Sequence, residues 1–244
     1  MFDSHCHLLE ASKDTKESKN KFILMSTRVS EWEQVKSLYR DFPERVVPAF
    51  GIHPWRAHQQ SNRDFSEKLV ENLKSIPTSI VGEIGIDRIA KDRKGEPLDI
   101  EHQWETFRTQ FNIAIELDKP ISMHLVHDHG RFFQFVSNQT KMTNISLHSY
   151  SGSAESIRQL VKKSERIYFG YSIAINARSS KLDECILATP DSRILIESDL
   201  SSWENVESDL DEICSRVALV KGWTREDCET ILQENTERFI ENRI

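Results

Sequence analysis

Cysteine and glycine are both scarce in this sequence of 244 residues, and each shortage excludes a class of protein. The four cysteines, at positions 6, 185, 214 and 228, include no Cys-x-x-Cys pair and are too few for a disulfide framework. We therefore expect reduced thiols and a cytoplasmic location, with the nucleus as an alternative. Only eight glycines occur, and neither G-x-G-x-x-G nor G-x-x-x-x-G-K-[ST] is present, which excludes the common nucleotide-binding loops.

Basic charge and long apolar runs are also lacking. The chain has 32 Lys and Arg residues against 39 Asp and Glu residues, a formal net charge of −7. This disfavours a large electropositive surface for non-specific nucleic-acid binding, although metal ions can supply positive charge locally. No run approaches the ~18 apolar residues of a membrane-spanning helix. No basic stretch followed by an apolar segment marks an export signal, so we expect no membrane association.

Short apolar runs alternate with amphipathic segments along the whole chain. We predict eight strands near 1–5, 22–26, 46–50, 80–84, 121–124, 145–148, 167–171 and 194–197. Apolar residues between and after them recur every three to four positions, which predicts helices with one apolar face each. Segments 11–21 and 88–99 are expected to be rim loops. The alternation predicts an α/β protein with one domain over 1–244, a (β/α)8 TIM barrel. A doubly wound open sheet has the same periodicity, but the missing glycine loops favour the barrel.

Six histidine and acidic residues lie at the C-terminal ends of these apolar runs. Barrel enzymes have their active sites at this end of the barrel. They are His5, His7, Glu83, His124, His148 and Asp199. His5 and His7 share one face of a strand because side-chain direction alternates, and the same alternation turns Cys6 away from them. One such residue alone is more often a local hydrogen-bonding group. Six of them on five strands indicate a shared site.

Four imidazoles and two carboxylates exceed the needs of one catalytic metal ion, which keeps three protein ligands and one open position. Two ions about 3.5–4 Å apart fit better, and we predict that Glu83 bridges them. One ion would take His5, His7 and Asp199, and the other His124 and His148. Asp199 is placed to orient a nucleophilic water and accept its proton. The histidine-rich set favours Zn²⁺ by ligand softness, with Mg²⁺ and Mn²⁺ as alternatives.

Seven short segments together resemble a known family. They are MFDSHCHL from Met1, GIHPW from Gly51, VGEIGID from Val81, PISMH from Pro120, SLHSYSG from Ser146, ILIESDL from Ile194 and ENTERFI from Glu234. In order and spacing they resemble the TatD-related metal-dependent deoxyribonucleases, a branch of the metallo-dependent hydrolases with TIM-barrel architecture, over nearly the whole chain. The resemblance implies that the six residues named above are metal ligands. It also implies that His53 of GIHPW contacts or polarises the scissile phosphate. We therefore expect Asp199, Glu83 and His53 to be the catalytic residues.

The chain departs from the family pattern after His124, where many members carry an arginine two positions later and this chain has Val126. His127 and His129 follow, and we expect them to contact the substrate in place of that cation or, alternatively, to support the site or lie in solvent. The strings LVHDHG and LHSYSGS resemble a fungal subgroup known in part as partners of a cell-cycle ubiquitin-ligase subunit. A protein partner of that kind is a further expectation.

Two features of the expected rim leave alternatives open. Trp55, beside His53, would stack on a base or pack on Pro54. The basic residues of segment 88–94 would follow a phosphate backbone or remain solvated.

Three functions are compatible with this site. The first is hydrolysis of phosphodiester bonds in DNA, exonucleolytic on single-stranded ends, by a water activated by two divalent metal ions. The second is hydrolysis of a small amide, ester or phosphoester, because this barrel supports many reactions. Related amidohydrolases often bridge their metals with a carboxylated lysine, so the carboxylate of Glu83 favours the first. The third is a largely non-enzymatic partner protein that retains the ligands for stability.

Overall fold

Eight parallel strands form a single sheet in which every strand lies beside its neighbours in the chain. The computed structural model describes residues 1–10, 18–59 and 62–242, without the side chains of 62–64. The strands are β1 Phe2–Cys6, β2 Lys21–Leu24, β3 Val46–Phe50, β4 Ile80–Asp87, β5 Ile121–Val126, β6 Ile145–Leu147, β7 Ile167–Tyr171 and β8 Ile194–Ile196. Each predicted strand is found, and the predicted (β/α)8 TIM barrel is confirmed.

Helices connect these strands and follow the last one. They are α1 Trp32–Asp41, α2 Asn62–Ser75, α3 Ile100–Glu116, α4 His129–Ser137, α5 Ala154–Lys163, α6 Ile173–Asn176, α7 Leu182–Ala188, α8 Val206–Lys221 and α9 Arg225–Ile240. Short 3-10 helices span Val29–Glu31, Pro54–Gln59 and Asp191–Arg193. Segment 88–99 is a loop, as predicted, whereas most of the predicted loop 11–21 lies outside the described residues.

Helix α3 shows how local sequence sets these elements. Asp99 precedes the helix and accepts hydrogen bonds from the backbone N–H groups of Glu101 and His102 at 2.9 and 3.3 Å, which satisfies two of the donors that a helix leaves unpaired at its start. Trp104, Phe107 and Phe111 then recur at helical spacing and are buried in the main apolar core. The predicted apolar face is therefore a core face.

The barrel closes through contacts between β1 and the segment that follows β8. The backbone N–H of Asp199 donates to the carbonyl of His5 at 3.0 Å, and that of His7 donates to the carbonyl of Leu200 at 2.8 Å. Deeper inside, the carboxylate of Asp3 accepts from the backbone N–H and the hydroxyl of Ser198 at 3.0 and 2.6 Å. These bonds hold the end of β1, which carries His5 and His7, beside the segment after β8, which carries Asp199.

Strands β4 and β5 run further toward the mouth than their apolar runs predict. Their pairing shifts register between Val81 and Ile84 and then continues to Asp87 and Val126. Gly85 lies in the middle of this stretch with φ of +146°, and a Cβ there would come within 1.9 Å of the carbonyl oxygen of His124. Only glycine permits this approach, which sets the spacing between Glu83 on β4 and His124 on β5.

Two smaller predictions are also tested by the fold. Cys6 is fully buried, and its thiol faces the carbonyl of Ile23 at 3.7 Å, away from the neighbouring histidines as predicted. All four cysteines are buried and have free thiols, as predicted. In the described part of the chain, no helix combines the length and the apolar character that crossing a membrane requires.

Candidate metal centre

Glu83 lies at the centre of the histidines predicted from the sequence. Its Oε1 atom is 2.7 Å from Nε2 of His148, 3.1 Å from Nδ1 of His124 and 3.2 Å from Nε2 of His53. Its Oε2 atom is 3.2 Å from Nε2 of His7 and 3.6 Å from Nε2 of His5. The two oxygens of one buried carboxylate therefore face two different sets of imidazoles.

Asp199 completes the set around His5 and His7. Its Oδ1 atom lies 3.7 and 3.8 Å from the Nε2 atoms of these residues, which are 3.2 Å from each other. Oδ2 accepts a hydrogen bond from the hydroxyl of Ser149 at 2.9 Å. The side chains of His7, His124 and Asp199 are 20%, 15% and 12% exposed while His5 is fully buried, so solvent reaches the cluster along these three residues.

The hydrogen-bond partners of two histidines fix which nitrogen faces the cluster. His5 pairs through Nδ1 with the hydroxyl of Ser122 at 2.8 Å, and His124 pairs through Nε2 with the carboxylate of Asp87 at 3.3 Å. Burial opposes ionisation of Asp87, but hydrogen bonds from His124 and Trp55 lower its pKa overall, so it is an acceptor. In the neutral ring of His124 the proton is therefore on Nε2, and the lone pair of Nδ1 is left for a cation. The hydroxyl of Ser122 can donate to Nδ1 of His5 or accept from it, and the bond orients the ring so that Nε2 faces the cluster.

His53 has the opposite arrangement. Its Nδ1 atom accepts a hydrogen bond from the backbone N–H of Trp55 at 3.2 Å, so the proton of the neutral ring is on Nε2, the atom that faces Glu83. Burial lowers the pKa of His53 more than Glu83 raises it, which keeps the ring neutral. His53 is therefore a hydrogen-bond donor toward the cluster.

Among the residues that the structure describes, three groups of potential ligands each have their ligand atoms within 4.8 Å of one another. They are His5 with Glu83 and His148, His5 with His7 and Asp199, and His53 with Glu83 and His124. The first two offer nitrogen lone pairs and carboxylate oxygens, which suits Zn²⁺ and related divalent ions. In the third, proximity alone is misleading, because the ring nitrogen that His53 presents carries a proton.

His148 is stacked on His5, with ring centroids 3.8 Å apart and planes within 9° of parallel. Its Nδ1 atom is buried and makes no hydrogen bond within the described residues, and the carboxylates of Glu197 and Asp199 lie 3.7 and 3.8 Å away. The Nε2 atoms of these two stacked rings both face the carboxylate of Glu83. This arrangement suits neutral imidazoles that bind cations.

Strongly shifted pKa values follow from this crowding. Burial opposes the charge on each group, but the surrounding imidazoles hold the pKa of Glu83 well below its usual range. Burial likewise disfavours protonation of His148, yet the Glu83 carboxylate outweighs it and raises the pKa of His148 to about 10. For His5, burial and the charge of His148 lower the pKa to about 4. A divalent cation would replace protons as the positive charge beside Glu83.

Sequence reasoning did not find the polar layer beneath the cluster. Glu197 is fully buried and accepts hydrogen bonds from the hydroxyl of Ser4 at 3.0 Å and from the backbone N–H of Ser149. Burial raises the pKa values of both Glu197 and Asp3 to about 7. A Cβ on Gly170 would lie 2.3 Å from Oε2 of Glu197, so β7 leaves room for this carboxylate.

Helix α3 positions two site segments with a pair of buried glutamines. The side chain of Gln110 accepts from the backbone N–H of Ile52 at 2.7 Å and donates to its carbonyl at 3.1 Å. Gln103 makes the same pair of bonds with the backbone of Asp87, at 2.8 and 3.1 Å. The two glutamines are seven positions apart, two helical turns, and therefore lie on one side of the helix. They hold the segments that carry His53 and Asp87.

The two other predicted substrate histidines lie apart from the cluster. His127 is exposed, with φ of 56°. His129 packs edge-on against Tyr150, with ring centroids 5.6 Å apart, and its Nε2 atom is buried with no hydrogen bond to the described residues. Their role as substrate contacts stays a prediction. In the basic loop, Arg88 pairs with Asp128 at 2.9 Å.

Comparison with known proteins identifies the family of this chain. The family described as TatD related DNase matches residues 2–241. The chain is 25% identical to the Cut9-interacting protein scn1 of Schizosaccharomyces pombe, over 98% of each chain. It is 28% identical to the 3'-5' ssDNA/RNA exonuclease TatD of Escherichia fergusonii, over 74% of this chain and 67% of that one.

Solved structures show the same fold. The crystal structure of YJJV, a TatD homologue from Escherichia coli K12, superposes with a TM-score of 0.82 at 20% identity, over 98% of this chain and 96% of that one. The sequence match spans every strand of the barrel. The chain belongs to the TatD related DNase family of metal-dependent hydrolases.

Proposed function

We propose that the protein hydrolyses phosphodiester bonds of DNA at single-stranded ends with two divalent metal ions. The supporting observation is that the two carboxylate oxygens of Glu83 face different histidines. Its Oε2 atom faces His5 and His7, and its Oε1 atom faces His124 and His148. A carboxylate with separate sets of ligands on its two oxygens is the arrangement that a bridging ligand requires. The 3'-5' ssDNA/RNA exonuclease name of a relative supports the choice of substrate.

The proposed ligands divide in the same way. Glu83 would bridge the ions, with His5, His7 and Asp199 on one side and His124 and His148 on the other. When bound, two such ions polarise a phosphoryl oxygen and lower the pKa of water. The geometry favours His53 as a donor to the substrate rather than as a ligand, because its Nε2 carries the proton.

Two side chains would then act on the reacting groups. Asp199 lies on the solvent side, and its Oδ2 atom is held by the hydroxyl of Ser149. We assign it to orient the attacking water and to accept its proton. Nε2–H of His53 would donate a hydrogen bond to a non-bridging phosphoryl oxygen, where negative charge grows in the transition state. Glu83 would keep both cations beside that oxygen.

The test is release of nucleotides from end-labelled single-stranded DNA by metal-free protein resupplied with Zn²⁺, Mg²⁺ or Mn²⁺. We expect metal-dependent release, and loss of it in Asp199→Asn. Asp183→Asn is the matched control, because Asp183 is an exposed carboxylate that pairs with Arg216 and is not one of the proposed ligands. Labelled RNA and duplex DNA in parallel would define substrate preference.

The outcomes separate the candidate functions. No release by folded, metal-loaded protein would contradict the nuclease proposal. Hydrolysis of a small ester, amide or phosphoester by the same protein, abolished by Asp199→Asn, would instead support the second class of substrate.

The similarity to the Cut9-interacting protein supports a second candidate role, as a protein partner. The two chains align over 98% of each, so a shared binding surface is a reasonable expectation. Affinity of the purified protein for a Cut9-like partner tests this role. Binding that is equal for wild type and Asp199→Asn would mean that it is independent of hydrolysis, and absence of binding would contradict it.

A further inference from the structure

Trp55 places a large apolar surface beside the candidate metal centre. Its side chain is 51% exposed, although its ring centroid lies only 4.8 Å from that of His53 and 6.1 Å from that of His124. The preceding Pro54 is buried. A half-exposed indole in contact with two site histidines provides a surface for a ligand at the mouth of the barrel.

Polar contacts hold this ring in place. The indole Nε1–H donates to Oδ2 of Asp87 at 2.6 Å, and the same oxygen lies 3.3 Å from Nε2 of His124. The backbone N–H of Trp55 donates to Nδ1 of His53. Because both N–H groups of Trp55 donate to site residues, the ring is already held in place before a planar group binds, and less entropy is lost on binding.

A second exposed apolar residue, Ile89, is bound to the other oxygen of Asp87. Its backbone N–H donates to Oδ1 of Asp87 at 3.1 Å, and its side chain is 61% exposed. Among the described residues, the large exposed apolar side chains are Trp55, Ile89, Ile175, Leu187 and Leu219. Two of these five are therefore joined to one carboxylate at the edge of the metal centre.

We propose that Trp55 and Ile89 form a stacking platform for a nucleobase next to the scissile phosphate. The inference rests on the proposed function and adds to it the group that recognises the substrate. Every base has a π-face, so stacking on an aromatic ring binds bases with little regard to sequence. Inside a duplex both faces of a base are stacked on its neighbours, so only the outer face of a terminal pair is free, whereas every base of a single strand can turn to the ring. The platform therefore favours single strands.

The first experiment measures binding without cleavage, by fluorescence anisotropy of labelled oligonucleotides with the Asp199→Asn protein loaded with metal. We expect Trp55→Ala in this background to weaken binding by about 5- to 150-fold, the range found when one stacking aromatic is removed. Oligonucleotides with a single abasic site at each of the three terminal positions locate the base. At the position that contacts Trp55, the abasic oligonucleotide should bind wild type and variant equally.

The second experiment separates stacking from support of Asp87. Trp55→Phe keeps an aromatic ring but removes the indole N–H, so we expect it to retain most of the affinity that Trp55→Ala loses. Ile89→Ala should lower affinity several-fold. Leu219→Ala is its matched control, because Leu219 is 74% exposed on α8. The preference for single-stranded over duplex DNA should fall in Trp55→Ala.

Different results would overturn this inference and the proposed function. Equal losses on intact and abasic oligonucleotides would mean that Trp55 supports the site without stacking, which contradicts the platform. Failure of wild type to release nucleotides would contradict the proposed function, while base-dependent binding in the anisotropy experiment would still support the platform. Absence of any binding would contradict both.

Discussion

At the residue scale, the roles of His124 and His53 are set by the partner of the ring nitrogen that faces away from Glu83. The carboxylate of Asp87 accepts from the outer nitrogen of His124, which leaves a lone pair facing inward in the neutral ring. A backbone N–H does the reverse for His53 and leaves a proton facing inward. The same residue type therefore serves as ligand or donor according to one hydrogen bond.

A first prediction concerns the pH dependence of metal binding through His148. In metal-free protein its pKa is raised to about 10 beside Glu83, so it is protonated near neutral pH, whereas a ligand must be neutral. Binding should release protons, and the affinity for Zn²⁺ should increase as the pH rises toward about 10. Titration calorimetry in two buffers of different ionisation enthalpy counts these protons. His148→Ala should release about one fewer.

The same shift has a consequence for metal-free stability. The folded pKa of His148 lies above the ordinary value of 6.5, so its pairing with Glu83 contributes fully to the free energy of unfolding below pH 6.5, and this contribution is lost as the pH rises through about 10.

The matched control for the calorimetry is His58→Ala. His58 is an exposed histidine on the 3-10 helix, so this variant should release as many protons as wild type. Buffer-independent heats for wild type would contradict the prediction.

At the scale of elements, helix α3 fixes two segments of the site through Gln103 and Gln110. Each glutamine pairs with both polar backbone groups of one residue, Asp87 or Ile52, as a neighbouring strand would. The end of β4 and the loop after β3 thus gain the rigidity of the helix, which fixes the position of the side chains they carry.

A second prediction tests this support. Gln110→Met leaves the N–H and C=O of Ile52 buried without a partner, and we expect a loss of about 1–3 kcal/mol of unfolding free energy for each. Because Ile52 precedes His53, kcat/KM on single-stranded DNA should fall while Zn²⁺ affinity stays close to wild type. Gln233→Met, at an exposed glutamine on α9, should change neither. An unchanged denaturant midpoint in Gln110→Met would contradict the role.

The sequence predicts the strands and the residues at their ends, but not the side chains that hold those residues in place. An apolar run that ends in a histidine or an acidic residue can be recognised in the sequence alone. All eight strands and the residues clustered around Glu83 could be predicted for this reason. Gln103 and Gln110 lie among apolar residues on α3 and have no signature, since their partners are backbone groups distant in sequence. The extension of β4 to Asp87 depends on its pairing with β5. His53 could be assigned only by resemblance, because its tautomer depends on Trp55.

At the scale of the whole molecule, the centre joins parts of the chain that are far apart in sequence. The proposed ligands come from the ends of five strands distributed around the barrel, in a chain whose net charge is −7. A cation that binds them stabilises the folded state as a whole, since the unfolded chain holds no such site.

A third prediction follows for thermal unfolding. At about 100 times its dissociation constant, a bound metal ion adds about 2.7 kcal/mol to the free energy of unfolding. For a domain of this size we expect Tm to rise by about 5–10 °C when Zn²⁺ is added to metal-free protein, as measured by calorimetry. His5→Ala should abolish most of the rise, and His58→Ala should leave it intact. Equal increases in wild type and His5→Ala would contradict the centre.

The contact between β1 and the segment after β8 also sets when the centre can exist during synthesis. His7 Nε2 and Asp199 Oδ1 lie 3.8 Å apart, although 192 positions separate them in the chain. At about 5–20 residues per second, a ribosome needs about 10–40 s to travel between them. A nascent or prematurely terminated chain therefore carries His5 and His7 without their partners. The cell is exposed to the hydrolytic centre only after nearly all of the barrel has been made.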